Sequence, residues 1–290
     1  MSYEDKFDSS LDLLRRLDPK HISLNLNTLC SIIQSQDSDS ELVPDLLSSV
    51  DTPLKLITDK SNNKQFLSCD YNRDGDSYRS PWSNKYYPSS SVDDDELPPY
   101  PSDDLRQLEI KANESFDVYR DLYYENAGIS SVYLWDTDEG DIPDSLNNGF
   151  AGVVLFKKEI DNGEGKWDSI HVFEVETAGS STYSYKLTSS VILDLNNNKD
   201  LSVSGNLTRQ FDVTKKFTGS NDTGANLETF HLISLGQLVE NSEYTIRNLL
   251  QEVYFDKLKD IILKDLRRFG ADDGQLQAKQ SDLIKGLQGL

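Results

Sequence analysis

Apolar positions follow two periods along this chain, and the change from one to the other divides it. Up to about residue 50 the spacing is helical. Phe7, Leu11, Leu14 and Leu17 share a face over 3–17. Ile22, Leu24, Leu26, Leu29, Ile32 and Ile33 follow over 21–34, then Leu42, Val43, Leu46, Leu47 and Val50 over 41–50. Acidic residues early and Arg15 and Arg16 late suit the dipole of the first helix. Pro19 ends that helix and Pro53 closes the set, so 1–53 is expected to be a small antiparallel helical bundle.

The stretch 54–102 has neither period. It is dense in turn formers, Arg and aromatics, then acidic residues and prolines, and is expected to be irregular with an acidic loop at 89–99. A connecting helix is expected over 103–128, N-capped by Asp103, striped by Leu105, Leu108, Ala112, Phe116, Tyr119 and Leu122, and ended by Gly128. From 129 to 215 the period falls to two. Strands are expected at 130–136, 150–158, 167–177, 182–195 and 200–214, with Gly/Asn/Asp-rich turns between them and no crossover helix. The fold class is therefore α+β with an antiparallel five-stranded meander.

A long helix is expected over 225–270, uninterrupted from Ser234 to Phe269 and stopped by Gly270. That core run would be a rod of roughly 54 Å. Its stripe changes side. Leu235, Val239, Ile246, Leu249, Leu250 and Val253 share one face, whereas Leu258, Ile262, Leu266 and Phe269 point to nearly the opposite one, with the switch at Tyr254-Phe255. Either the second half packs on a partner, or one core wraps the rod. Long strands also leave backbone donors at the sheet margin, to be covered by a partner that continues the sheet or by this chain itself. In the arm 271–290, Leu276, Leu283, Leu287 and Leu290, flanked by Ile284, make a narrow apolar stripe with Lys279 and Lys285 beside it. Such a segment is marginal alone; it gains order in a groove, folds on its own body or frays.

Composition narrows the function. A formal charge of −21 argues against nucleic-acid binding, although Arg247, Lys257, Lys264, Arg267 and Arg268 form a local basic strip. The strip is either a solvated face or a contact for acidic protein or anionic lipid. Cys30 and Cys69 have no metal-ligand spacing, which favours a reducing interior. MSYEDKF is not a signal peptide and no long apolar run occurs, so a cytoplasmic protein is expected and Asn113, Asn206 and Asn221 in Asn-x-Ser/Thr matches are read as chance. Asp70-x-Asn72-x-Asp74-Gly75 opens like a calcium loop, but Pro81 stands where the closing Glu belongs, and a side-chain-bonded turn fits better. The three histidines are scattered and no nucleophile elbow, phosphate loop or dinucleotide motif is present. Neither an enzyme nor a cofactor is expected.

The run CDYNRDGDSYRSPWSNK at 69–85 resembles the signature of the beta subunit of F-actin capping protein. LLSSVDTPLK at 46–55, SSVYLWD at 130–136, GFAGVVLFKK at 149–158, WDSIHVFEV at 167–175 and LVENSEYTIRNLLQEVYFDKLKDI at 238–261 are similar to it too. The resemblance implies a heterodimer with a capping protein alpha subunit, five strands from each joined in one sheet, and long helices laid across it. It implies a cap on the barbed end of actin filaments that blocks subunit exchange, without severing and without calcium, under phosphoinositide or inhibitory-protein regulation. Carried onto this chain, the arm residues Leu276, Lys279, Leu283, Ile284, Lys285, Leu287 and Leu290 would bind actin, the basic strip would add actin or phosphoinositide contacts, and Leu258, Ile262, Leu266 and Phe269 would face the partner. Three features depart from the pattern: an extra loop Glu139–Asn148, the acidic loop 89–99, and an arm ending at Leu290. The alternative is a structural subunit of a larger cytoskeletal assembly that touches actin only indirectly.

Overall fold

A computed structural model of the chain describes residues 2–37, 40–89, 99–125, 127–137, 144–160, 165–179, 181–195, 203–218 and 226–257. The acidic loop is outside these residues apart from its first, Ser89, and its last, Pro99, as is everything beyond 257. The chain divides into two compact units, residues 1–246 and 247–290.

Three helices open the first unit: α1 (Tyr3–Arg16), α2 (Ile22–Gln36) and α3 (Leu42–Ser49). A capping box starts α1, Ser2 Oγ accepting from the Asp5 amide at 3.1 Å and the Ser2 amide donating to Asp5 at 2.9 Å. Leu14, Leu26, Cys30, Leu42, Val43 and Leu46 form the core of this bundle. Pro44 is tolerated because it lies in the first turn of α3, where no intrahelical partner is lost.

The stretch expected to be irregular is not. It holds the hairpin β1 (Lys55–Asp59) and β2 (Lys64–Ser68), then a three-stranded sheet of β3 (Arg73–Asp74), β4 (Ser77–Arg79) and β5 (Tyr86–Tyr87). These strands are too short to show a period, which is why the pattern concealed them.

α4 spans Asp103–Tyr124. Its N-cap is Ser102, not Asp103, and Ser102 Oγ donates instead to Asp136 at 2.7 Å. The helix ends at Glu125 in the left-handed conformation (φ 55°), so Gly128 begins the next strand rather than stopping the helix. Then follow β6 (Gly128–Asp136), the single turn α5 (Ser145–Asn148), β7 (Gly149–Ile160), β8 (Gly165–Gly179), β9 (Thr182–Leu195) and β10 (Val203–Lys216). The sheet is an antiparallel meander in the order β10-β9-β8-β7-β6. Its two faces separate by the strand period. On one, Val132, Leu134, Phe150, Val154, Phe156, Phe173, Val175, Tyr185 and Leu187 pack beneath α4 and the helix α6 (Leu227–Leu250). On the other, Tyr133, Val153, Leu155 and Ile170 pack against Leu54, Phe66 and Leu67 of the hairpin region. Gly152 permits the closest approach on the helix-covered face. A Cβ there would lie 2.5 Å from both Leu134 and Phe173.

In place of one unbroken α-helix, Gln251–Lys257 are wound as a π-helix. The i→i+5 winding turns less per residue than an α-helix. The 100° plot that put a face switch at Tyr254-Phe255 therefore does not hold across this segment.

Candidate functional site

The two margins of the sheet are unlike each other. The β6 margin is closed. Val132 donates its amide to Asn113 Oδ1 at 2.9 Å, and its carbonyl accepts from Asn113 Nδ2 at 2.9 Å. The Leu134 amide donates to Glu109 Oε2 at 2.7 Å. Arg79 holds that carboxylate in a two-pronged pair at 2.8 and 2.7 Å, Arg106 adds a third contact, and Glu109 is fully buried. The β10 margin differs. No strand pairs with its outer side among the described residues. The turn Pro19–His21 approaches it, yet Asn206, Thr208, Arg209, Gln210, Asp212, Thr214 and Lys216 remain exposed.

Beneath α6 lies a buried polar layer. His171 Nε2 is 2.9 Å from Glu243 Oε1, and His171 Nδ1 is 2.8 Å from Ser189 Oγ. Tyr124 Oη donates to Glu243 Oε2 at 2.8 Å. Ser189 donates onward to Ser242 at 3.0 Å, and Ser242 to the Val239 carbonyl at 2.9 Å. The two ring nitrogens of His171 thus bond to Glu243 of α6 and to Ser189 of β9. Burial pushes the Glu243 carboxyl up, but the bond and charge of His171, with bonds from Ser169 and Tyr124, more than offset it and hold the group below its ordinary value. Burial likewise drives the Tyr124 hydroxyl well above its ordinary value, Glu243 adding to the shift. Ser189, His171 and Glu243 have the order of a hydrolytic triad, but Ser189 and His171 are 0 % exposed and Glu243 2 %, so no substrate reaches them. The layer fastens a helix to a sheet.

His231 makes a second fastening. Tyr185 Oη lies 2.8 Å from Nδ1, and Nε2 lies 2.8 Å from the Leu146 carbonyl, within the stretch expected to be an extra loop. Burial pulls its pKa down to about 4, against a smaller upward pull from Leu146, so the ring is neutral at pH 7.

Sequence reasoning missed both histidines by seeking ligand spacing. The signal was a gap in two stripes: Ser242-Glu243 interrupt the apolar face of α6, and Ser169 and His171 interrupt the inward face of β8. The calcium-like motif resolves into a turn. Asn72 accepts from the Cys69 amide at 2.9 Å and donates to the Arg79 carbonyl at 2.9 Å. Asn113, one of the Asn-x-Ser/Thr matches, is buried in the β6 closure. No helix among the described residues is long and apolar enough to cross a membrane.

Of the expected site residues, Arg247 is exposed in the last turn of α6, and Lys257 ends the π-helical segment. Lys264, Arg267, Arg268, Leu258, Ile262, Leu266 and Phe269 lie outside the described residues. So do Leu276, Lys279, Leu283, Ile284, Lys285, Leu287 and Leu290.

Residues 7–262 match the family model for F-actin capping protein, beta subunit. The chain is 60% identical to the F-actin-capping protein subunit beta of Debaryomyces hansenii over 297 residues, covering 100% of this chain and 99% of the relative. It is 49% identical to that of Yarrowia lipolytica and 47% to that of Saccharomyces cerevisiae, each across 98% of this chain and 99% of the relative. Among solved structures it is similar in fold, at a TM-score of 0.53 and 16% identity, to a homodimeric actin capping protein alpha subunit from Plasmodium berghei, over 93% of this chain and 99% of that one.

Proposed function

The chain belongs to the family of F-actin capping protein beta subunits, and we infer from this that it is the beta half of a heterodimer with a capping protein alpha subunit. The dimer binds the barbed end of actin filaments and blocks subunit addition and loss in the cytoplasm, by steric occlusion rather than catalysis. The observation that carries the reading is a family match running from the first helix through every strand into the second unit.

The contrast between the two margins favours β10 as the edge where the alpha subunit joins. β6 has the outward backbone groups of Val132 and Leu134 bonded, and β10 has fourteen residues paired on one side only among the described residues. A strand added at β10 continues the sheet. On α6, Ile233 and Tyr244 stand 55% and 70% exposed, three turns apart on one side of the helix. They give the partner an apolar footing beside that margin. Leu258, Ile262, Leu266 and Phe269 extend the contact. The arm 271–290 supplies the grip on actin through Leu276, Leu283, Ile284, Leu287 and Leu290, with Lys279 and Lys285 and the basic strip adding charge. Capping then needs no calcium and severs nothing.

The test is seeded filament elongation with the co-expressed dimer. Growth should stop at substoichiometric dimer, with or without a calcium chelator. A subunit that meets actin only through a larger assembly would leave growth unchanged. Phosphoinositide vesicles added to the same assay report whether lipid competes.

A further inference from the structure

We propose that α4 takes the place of a sixth strand at the β6 margin, and that Asn113 and Glu109 thereby confine sheet growth to β10 and assembly to one sheet partner. An antiparallel margin presents the backbone groups of alternate residues outward, a donor and an acceptor from each. At β6 these include residues 132 and 134. A carboxamide offers a donor and an acceptor much as a peptide unit does. Asn113 uses them on the amide and carbonyl of Val132, both at 2.9 Å, as a neighbouring strand would. One residue pair along, Glu109 accepts the Leu134 amide at 2.7 Å, and Arg79 Nη2 lies 3.4 Å from the Leu134 carbonyl.

The helix is built for this at a cost. Asn113 and Glu109 sit within the buried face of α4, among Leu105, Leu108, Ala112 and Phe116, where apolar residues would pack more cheaply. Asn113 is locked by a further bond from Nδ2 to the Glu109 carbonyl at 2.8 Å. Glu109 is held by two arginines, Arg79 and Arg106. An arriving strand would have to break an ion pair and strand a buried charge. Exposed sheet margins invite pairing, and covering them is a recognised remedy. Here the cover also bonds, whereas no strand pairs with the outer side of β10 among the described residues.

The claim about stoichiometry rests on reading β10 as the partner's margin; the claim about closure does not. Amide exchange at β10 with and without the alpha subunit reports on that margin; amide exchange at β6 reports on the closure, and molar mass on the stoichiometry. In the wild-type heterodimer, the Val132 and Leu134 amides should exchange at least tenfold more slowly than outward amides of an uncovered strand. Exchange at the rate of uncovered amides overturns the closure. The pair Asn113→Ala and Glu109→Ala, introduced together, should raise the Val132 exchange rate and give species above one-to-one by light scattering as concentration rises. A double variant that stays strictly one-to-one while its Val132 amide exchanges freely overturns the assembly claim. Should that variant fail to co-purify with the alpha subunit, Asn113→Leu alone gives the same two readouts, with the same result overturning it.

Discussion

Removing Glu243 should cost more than either of its hydrogen bonds alone suggests. The carboxylate meets His171 at 2.9 Å and Tyr124 at 2.8 Å, and 2 % of the residue is exposed. Glu243→Ala leaves the imidazole and the phenol hydroxyl buried without their acceptor. Leaving two buried polar groups without their acceptor, at about 1–3 kcal/mol each, costs about 3–5 kcal/mol together. For a chain of this size, about 2–4 °C of melting temperature follows each kcal/mol, so a fall of roughly 6–20 °C is expected in the co-expressed heterodimer. Replacing both members, His171→Leu with Glu243→Leu, removes the orphaned ring together with its partner. The double variant should therefore be less destabilised than the two single changes summed, by about 1–3 kcal/mol. Calorimetry and urea titration of the four proteins complete the cycle. A cycle that closes additively within about 0.5 kcal/mol would show that His171 and Glu243 merely sit side by side, and that apolar packing alone seats α6.

Three further outcomes follow from other parts of the molecule. Gly152→Ala forces a methyl to 2.5 Å from Leu134 and Phe173, and should lower stability by about 1–3 kcal/mol in urea titration, with little change in capping by the protein that remains folded. His231 has a folded pKa of about 4 against 6.5, so between those values the unfolded chain binds the extra proton; its contribution is complete above pH 6.5 and is lost as pH falls towards 4, at up to about 1.4 kcal/mol per pH unit. The stability difference between wild type and His231→Gln, measured from pH 7 to pH 4, should shrink over that window, and a constant difference would contradict the neutral buried ring. Deleting 272–290 should leave the heterodimer intact by gel filtration and weaken capping at least tenfold in seeded elongation; full capping by the truncated dimer would remove the arm from the mechanism.

What could be read from residues alone depended on how many of them repeat a period. β9 runs over Thr182–Leu195, the range expected from its alternating apolar residues, because fourteen positions average out any single polar intrusion. β1 to β5 have two to five residues each, too few to repeat a period, so no local pattern announces them. Helix ends misled for another reason. Ser102 and Glu125, not Asp103 and Gly128, bound α4, because Asp136 draws the Ser102 hydroxyl away from capping and Glu125 accepts a left-handed backbone without glycine. The buried histidines were hidden by a search for clusters along the chain, when the network is assembled across β8, β9, α4 and α6.

Asn72, Ser77, Arg79 and Ser80 of the stretch that carried the family resemblance face inward, and this changes what it means. Asn72 closes its own turn, and Ser80 donates to the buried Asp59 at 2.6 Å, where Tyr87 donates as well. Arg79 leaves the same run to neutralise Glu109, which can then accept the Leu134 amide at the β6 margin. The signature and the closure of the sheet are thus one connected set of bonds. An Arg79→Ala change takes the two-pronged partner from the buried Glu109 carboxylate and leaves it Arg106 alone, and its damage spreads first to α4 and β6. Capping would fail in such a variant through loss of the folded dimer, whereas a change confined to the arm would spare the dimer and lose the filament end.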